Sequence, residues 1–287
     1  MFRKLLKYDV AFVWRWWWIV AVSLLGASLL GAFLLRSTLD MAQAGNDLTG
    51  IFGMVSALYF FPYILAIGAG TLITTILLYW RFYSHFYSDQ GYLTFTLPVK
   101  RRTLLLSKIC NELIWHAAQG ALLVVCVLLF CLIAPPATKE YPVINPVIFS
   151  AFGDLVAELW ELVGATLLLY VLEGVLLLIG STLFQICLVH FCITLGAVIA
   201  KKKKLLAGIG VYYGVNSALS FIGQLLFGLT GGLMLPGLGA FLGRCTQTEG
   251  EVFIAMLLLL VTLVFLTLAV FFYCITQDKL DHKLNLA

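Results

Sequence analysis

Charge is scarce in this chain: Asp, Glu, Lys and Arg make up 11% of its 287 residues, against 62% hydrophobic ones. Together with a mean hydropathy of +1.03, that scarcity excludes an ordinary water-soluble globule, whose surface needs about a quarter of its residues charged. Enzymatic signatures are missing too. The chain has no GxxxxGK[ST] phosphate loop, so it does not bind and hydrolyse ATP by that route. It also lacks a GxSxG elbow, an HExxH helix and carboxylates paired on a common pocket. No catalytic residue is therefore assigned, and no cofactor is expected in this chain. The seven cysteines form no framework. Cys110, Cys126, Cys131, Cys187, Cys192 and Cys274 lie in or beside apolar runs, leaving only Cys245 in an outer loop, so disulfides are not expected. Cys187, His190 and Cys192 resemble a metal set on paper, but a helix presents the first two together and turns Cys192 away; packed side chains account for them, with no metal.

What the chain does contain is six long apolar runs: Trp16–Leu35, Ile51–Trp80, Ile109–Ala134, about Leu162–Ala200, Leu205 to about Phe227, and Val252–Ile275. Runs of about 20 apolar residues cross roughly 30 Å of hydrocarbon as helices. The expected fold class is an all-α integral membrane protein of six transmembrane helices, with residues 1–287 forming a single transmembrane domain. The first run continues into a loop with Arg36 and Asp40 without a small-residue cleavage site, so it is read as a retained span rather than a signal peptide.

Charge distribution sets the orientation. With both termini inside, all of the 18 Lys and Arg residues except Arg36, Lys139 and Arg244 fall on the cytoplasmic side, as the positive-inside rule requires. The net charge of +4 thus reports membrane topology, and no nucleic-acid partner is expected. Membrane lipid is the expected surroundings.

Residues 1–15 carry Phe2, Leu5, Leu6, Asp9, Phe12 and Val13 at helical spacing, with Arg3, Lys4 and Lys7 largely elsewhere. This pattern predicts an amphipathic, interfacial elbow helix. Trp14, Trp16, Trp17 and Trp18 follow where the chain enters the bilayer, the depth indole rings prefer. Leu162–Ala200 is too long for one crossing and too short for two, and is expected to be one extended helix. Residues 229–250 include glycines and Pro236 in an apolar setting; a re-entrant hairpin or an outer surface loop both fit.

Ionisable residues within spans mark functional sites by default. Lys108, Glu112 and His116 recur every four residues and are expected to pair along one helix face. Glu173 lies 28 residues before Lys201, about 42 Å along a helix, which puts it near the outer boundary. His190, about 16 Å from Lys201 by the same rise, is the candidate residue on a substrate path, with a satisfied packing histidine as the other reading.

Residues 81–108 form a polar, basic island between the second and third runs. Tyr92, Leu93, Phe95, Leu97 and Val99 give it an apolar surface, Gly91 and Pro98 punctuate it, and Lys100, Arg101 and Arg102 adjoin. A basic loop on anionic lipid explains the cations but not the apolar residues; a short helix or turn docked on a soluble protein explains both. The string SDQGYLTFTLPVKRRTLLLSK, preceded by WRFY and followed by an apolar span, resembles the first cytoplasmic loop of the permease subunits of bacterial type-two ABC exporters. The amphipathic start, six spans and the interrupted outer segment agree in layout.

The resemblance implies a half-transporter in the bacterial plasma membrane that pairs with a second permease copy or a paralogue and with two ABC ATP-binding subunits, which would hold ATP and magnesium. It further implies that the 81–108 loop is a coupling element. By position its contact set comprises Asp89, Gly91, Tyr92, Leu93, Thr96, Leu97 and Pro98, with Lys100, Arg101 and Arg102 adding electrostatic docking. Gln90 stands where an acidic residue is often expected. The implied function is outward movement of a hydrophobic or amphipathic substrate, peptide, drug or lipid, by alternating access. An ion-coupled secondary transporter and a membrane scaffold or sensor remain the alternatives.

Overall fold

A computed structural model of the chain describes residues 2–43, 49–96, 98–135, 147–200, 203–242 and 247–282. Every regular element among them is helical: α1 (Phe2–Gln43), α2 (Thr49–Tyr87), α3 (Asp89–Phe95), α4 (Arg101–Ile133), α5 (Val147–Val163), α6 (Thr166–Ile199), α7 (Lys204–Leu242) and α8 (Gln247–His282). Six of them, α1, α2, α4, α6, α7 and α8, are long and apolar enough to cross a membrane. These are the six runs of the sequence; α1, α2, α7 and α8 extend past them at both ends and α4 at its start, while α6 is shorter than its run.

Three local features depart from the sequence reading. α1 is one uninterrupted helix of 42 residues, about 63 Å long, so residues 1–15 are its first turns and no break sets them apart as an elbow. Asp9 and Val13 on that stretch are buried. The run from Leu162 is divided at Gly164, whose φ of +60° suits glycine and ends one helix before the next begins. The preceding segment forms α5, with Asp154, Glu158 and Glu161 at i, i+4 and i+7 along one face and Phe152, Leu155, Leu159 and Leu162 elsewhere. α7 runs as helix through the glycines and Pro236 to Leu242, where a hairpin or loop was expected. Proline removes one backbone donor but leaves neighbouring hydrogen bonds intact, and membrane helices tolerate it. Pro62 inside α2 is accommodated in the same way. Residues 243–246 lie outside the described residues.

The helices sort into two compact units. The amino-terminal unit comprises Arg3–Leu78 and Ile114–Gly164. Its core is built where α1, α2 and α4 meet, from Ala21, Leu24, Leu122 and Cys126 in one layer and Val13, Leu78 and Trp115 in another. Small residues let these helices approach: a methyl group on Gly70 would stand 2.9 Å from Leu24 Cδ1. Several polar groups inside this unit are paired within it. Gln119 Oε1 accepts from Trp17 Nε1 at 2.9 Å and from Thr74 Oγ1 at 3.2 Å, Ser28 and Tyr63 share a hydroxyl contact of 3.1 Å, and Tyr59 Oη donates to Ala27 O at 2.7 Å. Trp14, Trp17 and Trp115 form an aromatic cluster with centroids 5.2–6.2 Å apart, in which Trp115 is buried and Trp14 half-exposed.

The carboxy-terminal unit comprises Met1–Phe2, Tyr79–Leu113 and Ala165–Ala287. Here α6 packs along both α8 and α7. Phe184 and Phe191 meet Phe265 and Phe272 of α8, and Gln185 Nε2 donates to Tyr212 Oη of α7 at 2.9 Å. At the α6–α7 crossing a methyl group on Gly196 would overlap the backbone of Ala207 and Gly208. Only glycine fits there, and the two main chains come together because neither side carries a Cβ.

Candidate functional site

The polar island folds as the end of α2, the seven-residue α3 and the start of α4, all within the carboxy-terminal unit. α2 stops at Tyr87, and Ser88 takes an extended conformation with φ −102° and ψ −175°, the backbone geometry of a residue that precedes a new helix. Ser88 Oγ donates back to Ser84 O at 2.5 Å while Ser88 O accepts from Gly91 N at 2.7 Å, which folds α3 tightly against the end of α2. Gly91 is required for that fold. A Cβ on it would lie 2.7 Å from the Phe86 carbonyl oxygen, a backbone atom that cannot swing aside.

Phe95 then closes the turn by meeting the Phe86 ring edge-on, with centroids 5.7 Å apart. The Arg101 guanidinium stands 5.3 Å from the centre of the Phe95 ring, within cation–π range. The same guanidinium donates to the carbonyls of Leu280 and Asp281, the latter at 3.0 Å. These carbonyls belong to the last turn of α8, where they have no partner along the helix and carry the negative end of its dipole. With the Gln277 amide turned to present its oxygen, Arg102 Nη2 donates to it at 3.2 Å. Arg101 and Arg102, assigned on sequence to electrostatic docking, thus tie the island to α8.

The remaining members of the predicted contact set divide by position. Leu93 is 68% exposed, and Thr96, Pro98 and Lys100 are exposed as well. Gly91 is buried against Phe86 and presents backbone only. Thr96 Oγ1 bonds back to Leu93 O at 2.8 Å, and Gln90 Oε1 accepts from Ser84 at 3.2 Å. The side chains of Asp89 and Tyr92, and Leu97 altogether, lie outside the described residues. Among the described residues of this set, Leu93 is the exposed large apolar side chain, with Lys100 and the α8-bonded Arg101 and Arg102 exposed after it.

Beneath the island lies a polar cluster assembled from three helices. His190 of α6 is 1% exposed, and its Nε2 meets Glu112 Oε1 of α4 at 2.8 Å with both side chains fully enclosed. Phe82 of α2 stacks on the imidazole, centroids 3.7 Å apart and planes 12° off parallel, while Tyr79 approaches edge-on at 6.4 Å. Tyr87 Oη donates to Thr194 Oγ1 at 2.7 Å, and Thr194 in turn bonds the His190 carbonyl at 2.7 Å. Lys108, only 4% exposed, places Nζ 3.2 Å from His85 Nδ1. His190 is thus a packed and hydrogen-bonded residue. The i, i+4 pattern puts Lys108 and Glu112 on one helix face, and Glu112 also meets His190, 78 residues away, at hydrogen-bonding distance.

No group of three or more His, Cys, Asp or Glu residues able to hold a metal ion occurs among the described residues. Comparison with protein-family models, curated proteins and solved structures finds no match.

The arrangement has a mechanical consequence. α3 is braced to α2 through Gly91 and Phe95, to α8 through Arg101, and its supporting helices are cross-linked by Glu112–His190 and Tyr87–Thr194. α3 is thus held by contacts to its neighbours rather than standing as a loose loop.

Proposed function

We propose that this chain is the membrane-spanning subunit of an ATP-driven exporter of the ABC type, receiving motion at α3 from a separate ATP-binding subunit. The observation that carries the proposal is the short helix α3, with Leu93 exposed and Gly91 sealed against the Phe86 carbonyl. A solvated lipid-facing loop has no need for an outward leucine on a helix so firmly braced. In this reading both termini and α3 face the cytoplasm of a bacterial plasma membrane, and the first turns of α1 continue its span on the cytoplasmic side. The second permease subunit is another copy or a paralogue. Closure of two ATP-bound subunits displaces α3, and α2, α4 and α6 reorient as a body to release a hydrophobic or amphipathic cargo outward.

The test is co-purification with a candidate ABC ATP-binding subunit, sought first in the neighbouring reading frames. Leu93→Asp with Lys100→Glu changes the exposed surface and leaves the Arg101 bonds to α8 in place. The expected result is release of the ATPase and loss of ATP-dependent flux in vesicles. Retention of the ATPase with substrate-stimulated hydrolysis overturns the docking assignment. The buried Glu112–His190 pair favours one second reading, a carrier driven by a proton or sodium gradient. Gradient-driven transport by the chain alone, without any ATPase, selects that reading instead.

A further inference from the structure

An aromatic corner of the amino-terminal unit belongs neither to the island nor to the polar cluster beneath it. Tyr63 stacks on Tyr59 at 6.4 Å and on Phe130 at 5.7 Å, with planes 15° and 12° off parallel, so α2 and α4 supply one row of three rings. α1 holds that row in place. The Tyr59 hydroxyl bonds Ala27 O and the Tyr63 hydroxyl meets Ser28, while a methyl group on Gly31 would stand only 2.8 Å from Tyr59 Cε1 and 3.4 Å from Phe130 Cε2. The row does not fill its own space. With Gly31, Leu35, Ser56 and Phe60 the three rings line a cavity of about 380 Å³, the size of a small-molecule site and far larger than the voids a close-packed interior leaves. Phe60, one of its walls, is 52% exposed, so the cavity opens at the surface of the unit.

The lining sets the chemistry of an occupant. All of these residues are uncharged, so an ion would enter without a partner, at a cost that a neutral molecule avoids. The rings favour another aromatic system, each pair contributing about 0.5–1.5 kcal/mol beyond area burial. Ser56 Oγ donates to Gly53 O at 3.0 Å, which uses its proton and leaves lone pairs for a donor on the ligand. Leu35 closes the first apolar run and the Arg36–Asp40 ion pair, 3.7 Å apart, follows it. The cavity therefore lies at the polar end of that span, the depth that suits a ring with one polar group. A second cavity of about 350 Å³ shares Leu35 and Phe130 and adds Leu39, Ala134 and Pro135, which gives apolar room for a tail.

We propose that this cavity binds a neutral, flat aromatic amphiphile, a fused-ring molecule carrying one hydroxyl or N–H donor. The ring system lies against the Tyr59, Tyr63 and Phe130 row, and the donor bonds Ser56 Oγ. That such a molecule is cargo rests on the exporter reading; that it binds does not.

The full chain in phosphatidylcholine nanodiscs, without ATPase, is titrated with hydroxypyrene at neutral pH and followed by the probe's fluorescence. Saturable binding above the linear uptake of empty nanodiscs is expected, weakened roughly threefold to tenfold in Phe130→Leu, which removes one ring of the row. Uptake that stays linear, or an affinity unchanged in Phe130→Leu, overturns the site. Ser56→Ala tests the polar contact and leaves the packed rings alone. Relative to uptake by empty nanodiscs, hydroxypyrene should bind the wild type roughly threefold to tenfold tighter than pyrene does and lose that advantage in the variant; an advantage that survives Ser56→Ala overturns the proposal. Fully saturated perhydropyrene should compete roughly tenfold more weakly than pyrene. Equal competition means that lipid chains fill the space as well as rings do, and also overturns it. Hydroxypyrene binding by a chain that never retains an ATPase leaves this site standing and removes the exporter; a retained ATPase with no hydroxypyrene binding does the reverse.

Discussion

Replacing Glu112 by leucine strands the His190 imidazole in a space it shares with Phe82 and with no carboxylate to answer Nε2. Both side chains are at most 2% exposed, so water does not substitute for the lost partner. Removing one member of an enclosed pair of this kind costs about 3–5 kcal/mol, and the hydrogen bond itself, if charge-assisted, accounts for about 1.5–3 kcal/mol of that. His190→Leu should cost a similar amount because it strands Glu112, and also gives up the ring stacked on Phe82, worth about 0.5–1.5 kcal/mol. The double variant Glu112→Leu with His190→Leu removes both polar groups and replaces them with apolar ones. Such replacements are often neutral, so the double variant should be more stable than either single one, with a coupling energy of about 2 kcal/mol or more. Equilibrium unfolding of the purified chain in mixed micelles of rising denaturing-detergent content measures the cycle. Additive losses, or single variants within about 0.5 kcal/mol of the wild type, refute the claim that this pair cross-links α4 to α6.

Two further outcomes follow from glycine positions. Gly91→Ala places a methyl group 2.7 Å from the Phe86 carbonyl oxygen, so α3 should detach at a cost of about 1–3 kcal/mol, seen as faster amide hydrogen exchange across residues 89–95 with α6 unchanged; unchanged exchange in α3 contradicts the packing described. Gly196→Ala should lower the unfolding midpoint strongly because α6 and α7 touch there backbone to backbone. Gly180→Ala is the matched control, since its methyl group would meet Leu266 and Thr262 side chains at an ordinary 3.6 Å and should be tolerated; equal effects from the two contradict the crossing geometry.

The spans were legible in the sequence because hydrocarbon imposes one requirement on every residue of a crossing, and runs such as Val252–Ile275 satisfy it continuously. Breaks were harder to place. Gly164 and Pro236 are both helix breakers by local preference, yet α6 begins just after the first and α7 continues through the second. Preference alone does not say whether neighbouring groups compensate for a lost backbone bond. The polar island was visible as composition, and its short helix was among the expected forms, but the contacts within it were not. Lys100, Arg101 and Arg102 are alike in sequence; the structure leaves Lys100 exposed and turns Arg101 to the end of α8. The Glu112–His190 pair was legible only as two separate features, Glu112 within the Lys108–Glu112–His116 series and His190 alone in its apolar run.

The sequence by itself determined that this protein is helical and has six segments able to cross a membrane, because length and hydropathy are properties of each segment alone. Only the tertiary structure decided which polar groups meet. Partners such as Glu112 with His190, Tyr87 with Thr194 and Arg101 with the α8 carbonyls lie from 78 to 180 residues apart. Nothing in local spacing encodes those meetings; they exist only once α4 has packed beside α6 and α8, and α2 beside α6.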